Sequence, residues 1–330
     1  MRSRTAATAG SALLLVVLFV AACRKPRNDV TQVPTPPRVT TTTPPAPAPS
    51  SSAEPPTGEL REMTFDYAGT PVGANTVVVA IPTNATKESP LPVLVALHGR
   101  GESLKSPARG ARGWIDDYNL KNAVKRLASP PLTATDLGHS FAPDRLVKLN
   151  QALGAEPYRG LIVVCPYLPD AFHGDQAFAD GARYATFIVD EVLPRVYRET
   201  PAVGTPETTL VDGVSLGGRA ALLVGLLRPK AFRVVGALQP ALDNAEARPF
   251  AGLAERAKAE NPSLVVRLLS SSEDYFLQPT VELARELKAR GVNHKLDIVV
   301  GTHSYDFNRG PGVYEMLIFH DRAVRGLGAI

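Results

Sequence analysis

The stretch Leu210-Val-Asp-Gly-Val-Ser-Leu-Gly-Gly-Arg-Ala-Ala-Leu222 contains Gly213-Val-Ser-Leu-Gly217, a G-x-S-x-G. From composition alone such a triplet arises in about one chain in ten of this length, so the pattern by itself decides nothing. Its setting does. The apolar run Thr209–Val211 precedes it and the Ala- and Leu-rich stretch Arg219–Leu227 follows, which makes it a strand-to-helix turn. So sharp a turn strains the serine backbone and needs small neighbours two residues away. It also lifts the Ser215 hydroxyl above a sheet and leaves the Leu216 N–H at a helix N-terminus, where it can bind a developing oxyanion.

Outward from this turn the pattern stays regular. Strand-length apolar runs occur at Thr76–Ile81, Pro92–Leu97, Leu161–Cys165, Phe232–Leu238, Leu264–Leu269 and Lys295–Val300. Most are continuous rather than alternating, as in strands covered on both faces. Helical stretches lie between the later runs: Tyr184–Arg198, which Pro194 is expected to bend or end, Val281–Arg290 before the cap residue Gly291, and the terminal Gly312–Val324. The pattern predicts an α/β sandwich with a mostly parallel central sheet and helices on both faces. The long interval 102–158, which carries Trp114 and predicted helices at Asn119–Leu127 and Pro143–Leu153, reads as an insertion after the Pro92–Leu97 run that overhangs the site.

A serine hydroxyl needs a base to become nucleophilic. Six histidines exist, His98, His139, His173, His294, His303 and His320. In the strand-turn-helix setting the chain order is Ser, acid, His, and only His303 lies between the last strand run and the last helix, in "VVGTHSYDF". Asp274 in "LLSSSEDYFL" is the expected acid, with Glu273 and Asp243 as rivals. After the Pro92–Leu97 run, "LHGRG" offers a second oxyanion donor, the Arg100 N–H, with Gly101 as the alternative. His98 is expected to brace that loop.

The ends of the chain read differently. Residues 1–22 are basic and then apolar, an export signal, and Val20-Ala21-Ala22-Cys23 resembles the bacterial lipobox, in which the cysteine is lipidated. Residues 24–57 hold ten prolines and no aromatic residue, Leu, Ile or Phe, so 23–57 reads as a tether of at most roughly 100 Å. The expected place of work is outside the cytoplasm, anchored to a membrane through Cys23 alone; Arg24 after the cysteine leans toward the outer membrane. The net charge of +4 falls to about +2 without Arg2 and Arg4, too little to argue for nucleic acid. Cys165, in "GLIVVCPY", is expected to be a small buried hydrophobe. No metal constellation or cofactor motif is visible.

Taken together, "LHGRG", "DGVSLGG", "SSSEDYFL" and "GTHSY" resemble the α/β-hydrolase superfamily, in its putative-esterase branch of esterase-D-like and feruloyl esterase-like enzymes. The resemblance covers roughly 75–325, within a catalytic domain at 58–330. It implies Ser215 as nucleophile, Asp274 as acid and His303 as base in acyl transfer from a small-molecule or polymer-linked ester, without cofactor or metal. Acyl transfer to another acceptor, peptide hydrolysis and a non-catalytic binding lipoprotein stay open at this level. The interval 102–158, with "RGARGWIDDYNL" inside it, departs from the branch. Substrate and oligomeric state are not legible.

Overall fold

The computed structural model describes residues 57–330, apart from His139, Ser140, His173 and Ala329. The signal segment, Cys23 and nearly all of the tether lie outside the described residues. Eight strands form one sheet: β1 (Leu60–Thr70), β2 (Gly73–Pro82), β3 (Val93–Leu97), β4 (Ile162–Pro166), β5 (Thr209–Gly213), β6 (Val234–Leu238), β7 (Val265–Glu273) and β8 (His294–Thr302). Their order is β1-β2-β4-β3-β5-β6-β7-β8. β1 pairs antiparallel with β2, and β2 with β4; every later neighbour is parallel.

β1 is not among the apolar runs because it is an edge strand. Its residues "LREMTF" mix polar and apolar types, and of the strand only Phe65 is fully buried. The inner strands divide their side chains by the period of two. Val77, Val79 and Ile81 enter one core and Val78 and Ala80 the other. On the first face lie the helices Ala177–Glu199, Leu216–Leu227, Ala247–Glu260 and Leu277–Ala289. The second face is covered by Leu120–Leu127, Pro143–Ala155 and Val313–Val324.

Two expectations change here. Because β3 and β4 are parallel neighbours, the chain between them must cross over the sheet. The 102–158 segment is that crossover. Trp114, Leu127, Leu149 and Leu153 are buried in the second core, so most of the segment forms the sandwich itself, and its first part, Glu102 to Tyr118, adjoins the site. Pro194 does not end its helix. A π-helical turn at Phe187–Val192 precedes Leu193–Glu199, and the backbone stays helical at the joints. A wider turn removes the need for the i−4 bond that a proline cannot donate.

Beneath β5 lies a buried ionic cluster. Asp212 Oδ2 accepts from Arg267 Nη1 at 2.9 Å and from His320 Nε2 at 2.7 Å, while its Oδ1 accepts the Gly213 N–H at 2.7 Å. All three side chains are essentially without solvent contact. Burial would raise the Asp212 pKa, but the Arg267 charge and the His320 bond outweigh it and hold the carboxyl low. Burial lowers that of His320. The cluster is therefore one anion, one cation and a neutral imidazole. Gly236 makes room for it, since a Cβ there would lie 2.1 Å from Asp212 Oδ2.

Cys165 sits in β4, buried in the second core, and burial pushes its thiol pKa up. Among the described residues no helix is long and apolar enough to cross a membrane.

Candidate active site

The sheet order itself locates the site. From β3 the chain moves to β4 on one side and later to β5 on the other, so crossovers diverge above the ends of β3 and β5. Clefts form at such a switch point. Here the two loops leaving it are His98–Gly101 and Val214–Gly217.

Ser215 stands between β5 and the helix Leu216–Leu227 with φ +58 and ψ −117. For a residue with a Cβ this is strained backbone, at a cost of about 1–3 kcal/mol. The surroundings impose it. The Ser215 N–H donates to Leu238 O at 2.9 Å, and its carbonyl accepts from Ala241 and Arg219. The flanking glycines are steric necessities: a Cβ on Gly213 would lie 2.4 Å from Gly217 O, and one on Gly217 would lie 2.3 Å from Leu97 O. Gly217 thereby lets the nucleophile turn press directly on the end of β3.

Ser215, His303 and Asp274 form one hydrogen-bonded line. Ser215 Oγ lies 3.0 Å from His303 Nε2, and His303 Nδ1 lies 2.9 Å from Asp274 Oδ1. A neutral ring with its proton on Nδ1 satisfies both contacts. Asp274, with its side chain fully buried, also accepts the Ser270 hydroxyl at 2.7 Å and the Phe276 N–H at 3.0 Å. These bonds fix its orientation. Ser270 belongs to the polar extension of β7, past the apolar run read from the sequence. The rivals face elsewhere: Glu273 is exposed, and Asp243 caps the turn Asn244–Glu246. His294 bonds Val292 O, and His320 belongs to the buried ionic cluster. His139 and His173 lie outside the described residues.

Leu216 begins its helix and Arg100 begins the short turn Arg100–Ser103, so neither N–H has an intrahelical acceptor. The Arg100 side chain turns away and bonds Asp170 through Nε and Nη2 at 2.9 and 3.0 Å. His98 braces the loop as expected. Its Nε2 accepts the Leu168 N–H at 2.9 Å and its Nδ1 donates to Gly99 O at 2.9 Å. Burial pulls its pKa down to about 4, so it is neutral. Trp114 and Tyr118, inside the segment expected to overhang the site, are buried.

Sequence reasoning missed Gln239 and Tyr275. Gln239, at φ +45, donates its amide to Ser271 Oγ at 2.6 Å and to Thr302 O at 3.0 Å, tying together the loops of the acid and the histidine. Its positive φ leaves no mark in the sequence. Tyr275 is 69% exposed, and its ring centre stands 4.4 Å from that of His303. Among the described residues no group of His, Cys, Asp or Glu could hold a metal ion.

This architecture is an α/β-hydrolase fold. The profile of the "Putative esterase" family matches residues 173–309, a span that includes Ser215, Asp274 and His303. A ferulic acid esterase structure superposes with a TM-score of 0.59 at 18% identity, over 80% of this chain and 99% of that one. The S-formylglutathione hydrolase of Staphylococcus aureus gives 0.57 at 13% identity, over 80% and 99%. A feruloyl esterase module from Clostridium thermocellum, complexed with sinapinate, gives 0.56 at 16%, over 82% and 93%. No curated protein sequence matches the chain. The family match and the shared fold support a carboxylic ester hydrolase.

Proposed function

We propose that the protein is a serine esterase that works through an acyl-enzyme, with Ser215 as nucleophile, His303 as base and Asp274 as the acid that orients it. The observation that carries this reading is the line Ser215–His303–Asp274, with contacts of 3.0 and 2.9 Å. His303 Nε2 takes the Ser215 proton as Oγ bonds to the substrate carbonyl carbon. Asp274 stabilises the resulting imidazolium. The N–H groups of Leu216 and Arg100 hold the oxyanion. Collapse of the tetrahedral species breaks the bond to the leaving alcohol, which receives the proton from His303. Water then enters by the same route and releases the acid.

The substrate is a small-molecule or polymer-linked carboxylic ester, and the exposed Tyr275 ring beside His303 offers it an apolar wall. From the sequence of residues 1–57 we place this activity outside the cytoplasm, on a tether anchored through a lipid on Cys23. A fluorophosphonate probe applied to the full-length protein is expected to modify Ser215. Ser215→Ala should lose both labelling and hydrolysis of p-nitrophenyl acetate while melting as a folded protein. Hydrolysis by that variant would refute the assignment. Loss of lipid labelling in Cys23→Ala tests the anchor.

A further inference from the structure

Glu102 is fully buried, three residues beyond Gly99. Its Oε1 accepts the Tyr305 hydroxyl at 2.7 Å, and its Oε2 accepts the Tyr118 hydroxyl. The nearest cation, Lys105 Nζ, is 3.7 Å away. Tyr118 in turn accepts the Gly99 N–H at 3.1 Å. Burial, followed by the neighbouring Glu102, raises the pKa of both tyrosines, so both remain hydroxyl donors in neutral solution. A continuous chain of bonds thus runs from the backbone of Gly99 to Tyr305, two residues past His303.

The space for this chain is cleared by glycines. A Cβ on Gly113 would lie 2.7 Å from Glu102 Cγ, one on Gly110 would lie 2.6 Å from Glu102 O, and one on Gly101 would lie 2.4 Å from the Tyr305 hydroxyl. Gly110 and Gly113 are the glycines of "RGARGW". Their missing side chains let this segment close on Glu102, Tyr167 and His98. The Tyr118 and Tyr305 rings stack with centres 5.7 Å apart.

A buried carboxylate whose ion-pair partner, Lys105, stands beyond hydrogen-bond distance is costly unless its hydrogen bonds are complete. Here the two strong donors come from two loops of the site, which makes the carboxylate the point where those loops meet. We propose that Glu102 is a positioning residue: through Tyr118 it fixes the Gly99–Arg100 backbone, and through Tyr305 it sets that backbone at a constant spacing from His303. This rests on the esterase reading, in which Arg100 supplies the second oxyanion donor.

The test uses the full-length protein with Tyr118→Phe, which removes the acceptor of the Gly99 N–H, and with Glu102→Gln as the companion. The expected result is a fall in kcat on p-nitrophenyl acetate of about 10- to 100-fold with KM changed less than about threefold. Affinity for phenylboronic acid, whose adduct oxygen occupies the oxyanion site, should fall by the same factor. The pH midpoint of the rate should stay in place, because His303 and Asp274 keep their bonds. Amide exchange at Gly99–Glu102 should quicken while that at Leu216–Arg219 does not. Folded variants with wild-type kcat and boronate affinity would overturn the proposal, as would a lowered melting temperature with kcat unmoved. Failure of the esterase reading looks different: the unmodified protein would neither turn over ester nor take fluorophosphonate on Ser215. Exchange at Gly99 would then still decide whether Glu102 holds the loop.

Discussion

His303 Nε2 stands 3.0 Å from Ser215 Oγ although 88 residues separate them and two strands lie between β5 and β8. The loop after β8 must therefore reach back across the ends of β7 and β6. Gln239, at the end of β6, holds it there by donating to Thr302 O at 3.0 Å. Gln239→Ala removes that pin without touching the reacting groups. We expect kcat to fall by about 10- to 100-fold, the cost of a small misplacement at a reacting centre. Steady-state rates at saturating ester check this, with fluorophosphonate labelling of Ser215 slowed in parallel.

Three carboxylates lie between the serine and the histidine in positions worth testing, and one faces the imidazole. Asp274→Asn keeps the shape but presents a donor to Nδ1, favouring the wrong tautomer. A loss in kcat on the order of 10⁴-fold follows. Glu273→Gln and Asp243→Asn should stay within about threefold of the parent, because neither touches the ring. Equal losses at Asp274 and Glu273 would contradict this.

Ser215 stores strain that glycine would not. Ser215→Gly is expected to be inactive yet more stable than the parent by about 1 kcal/mol, since its φ of +58 costs glycine little. Urea unfolding of parent, Ser215→Ala and Ser215→Gly gives the comparison. A Gly variant no more stable than the Ala variant would contradict the origin of the strain.

The stabilisation that a neutral His98 contributes should be lost on mild acidification. Burial lowers the pKa of His98 from 6.5 to about 4 in the folded protein, so the unfolded chain takes up the proton first as pH drops. The stabilisation is complete above about pH 6.5 and is lost as pH falls toward 4, on the order of 3 kcal/mol in full. His320, also lowered by burial, adds in the same direction. Asp321, whose carboxyl burial raises to about 6, acts in the opposite direction, so the readout is a difference: between pH 7.5 and 4.5 the urea midpoint of the parent should fall relative to that of His98→Gln, which does not titrate.

Much of the sheet was legible because inner strands of a parallel sheet must be apolar on both faces. β1 was not, since an edge strand carries polar residues, and neither was the polar end of β7 that bears Ser270. The nucleophile turn could be read because sterics confine its neighbours to glycine. Chain order and strand-end position then narrowed the histidines to His303. The Glu102–Tyr118–Tyr305 linkage was invisible: Tyr305 is 203 residues from Glu102, and nothing in composition marks two tyrosines as partners of one carboxylate. Prolines and charges in 102–158 hid a layer of the core, because its apolar side chains sit on short helices whose periodicity is brief.

The ionic cluster beneath β5 limits how this sequence can drift. Changing Asp212, Arg267 or His320 alone leaves an uncompensated charge or an empty polar site in the core, and Gly236 cannot gain a side chain while Asp212 remains. Replacing the group together with apolar side chains of similar volume raises no such conflict. These four positions, spread over three strands and the last helix, therefore form one unit of inheritance: relatives should keep all four or exchange them as a set.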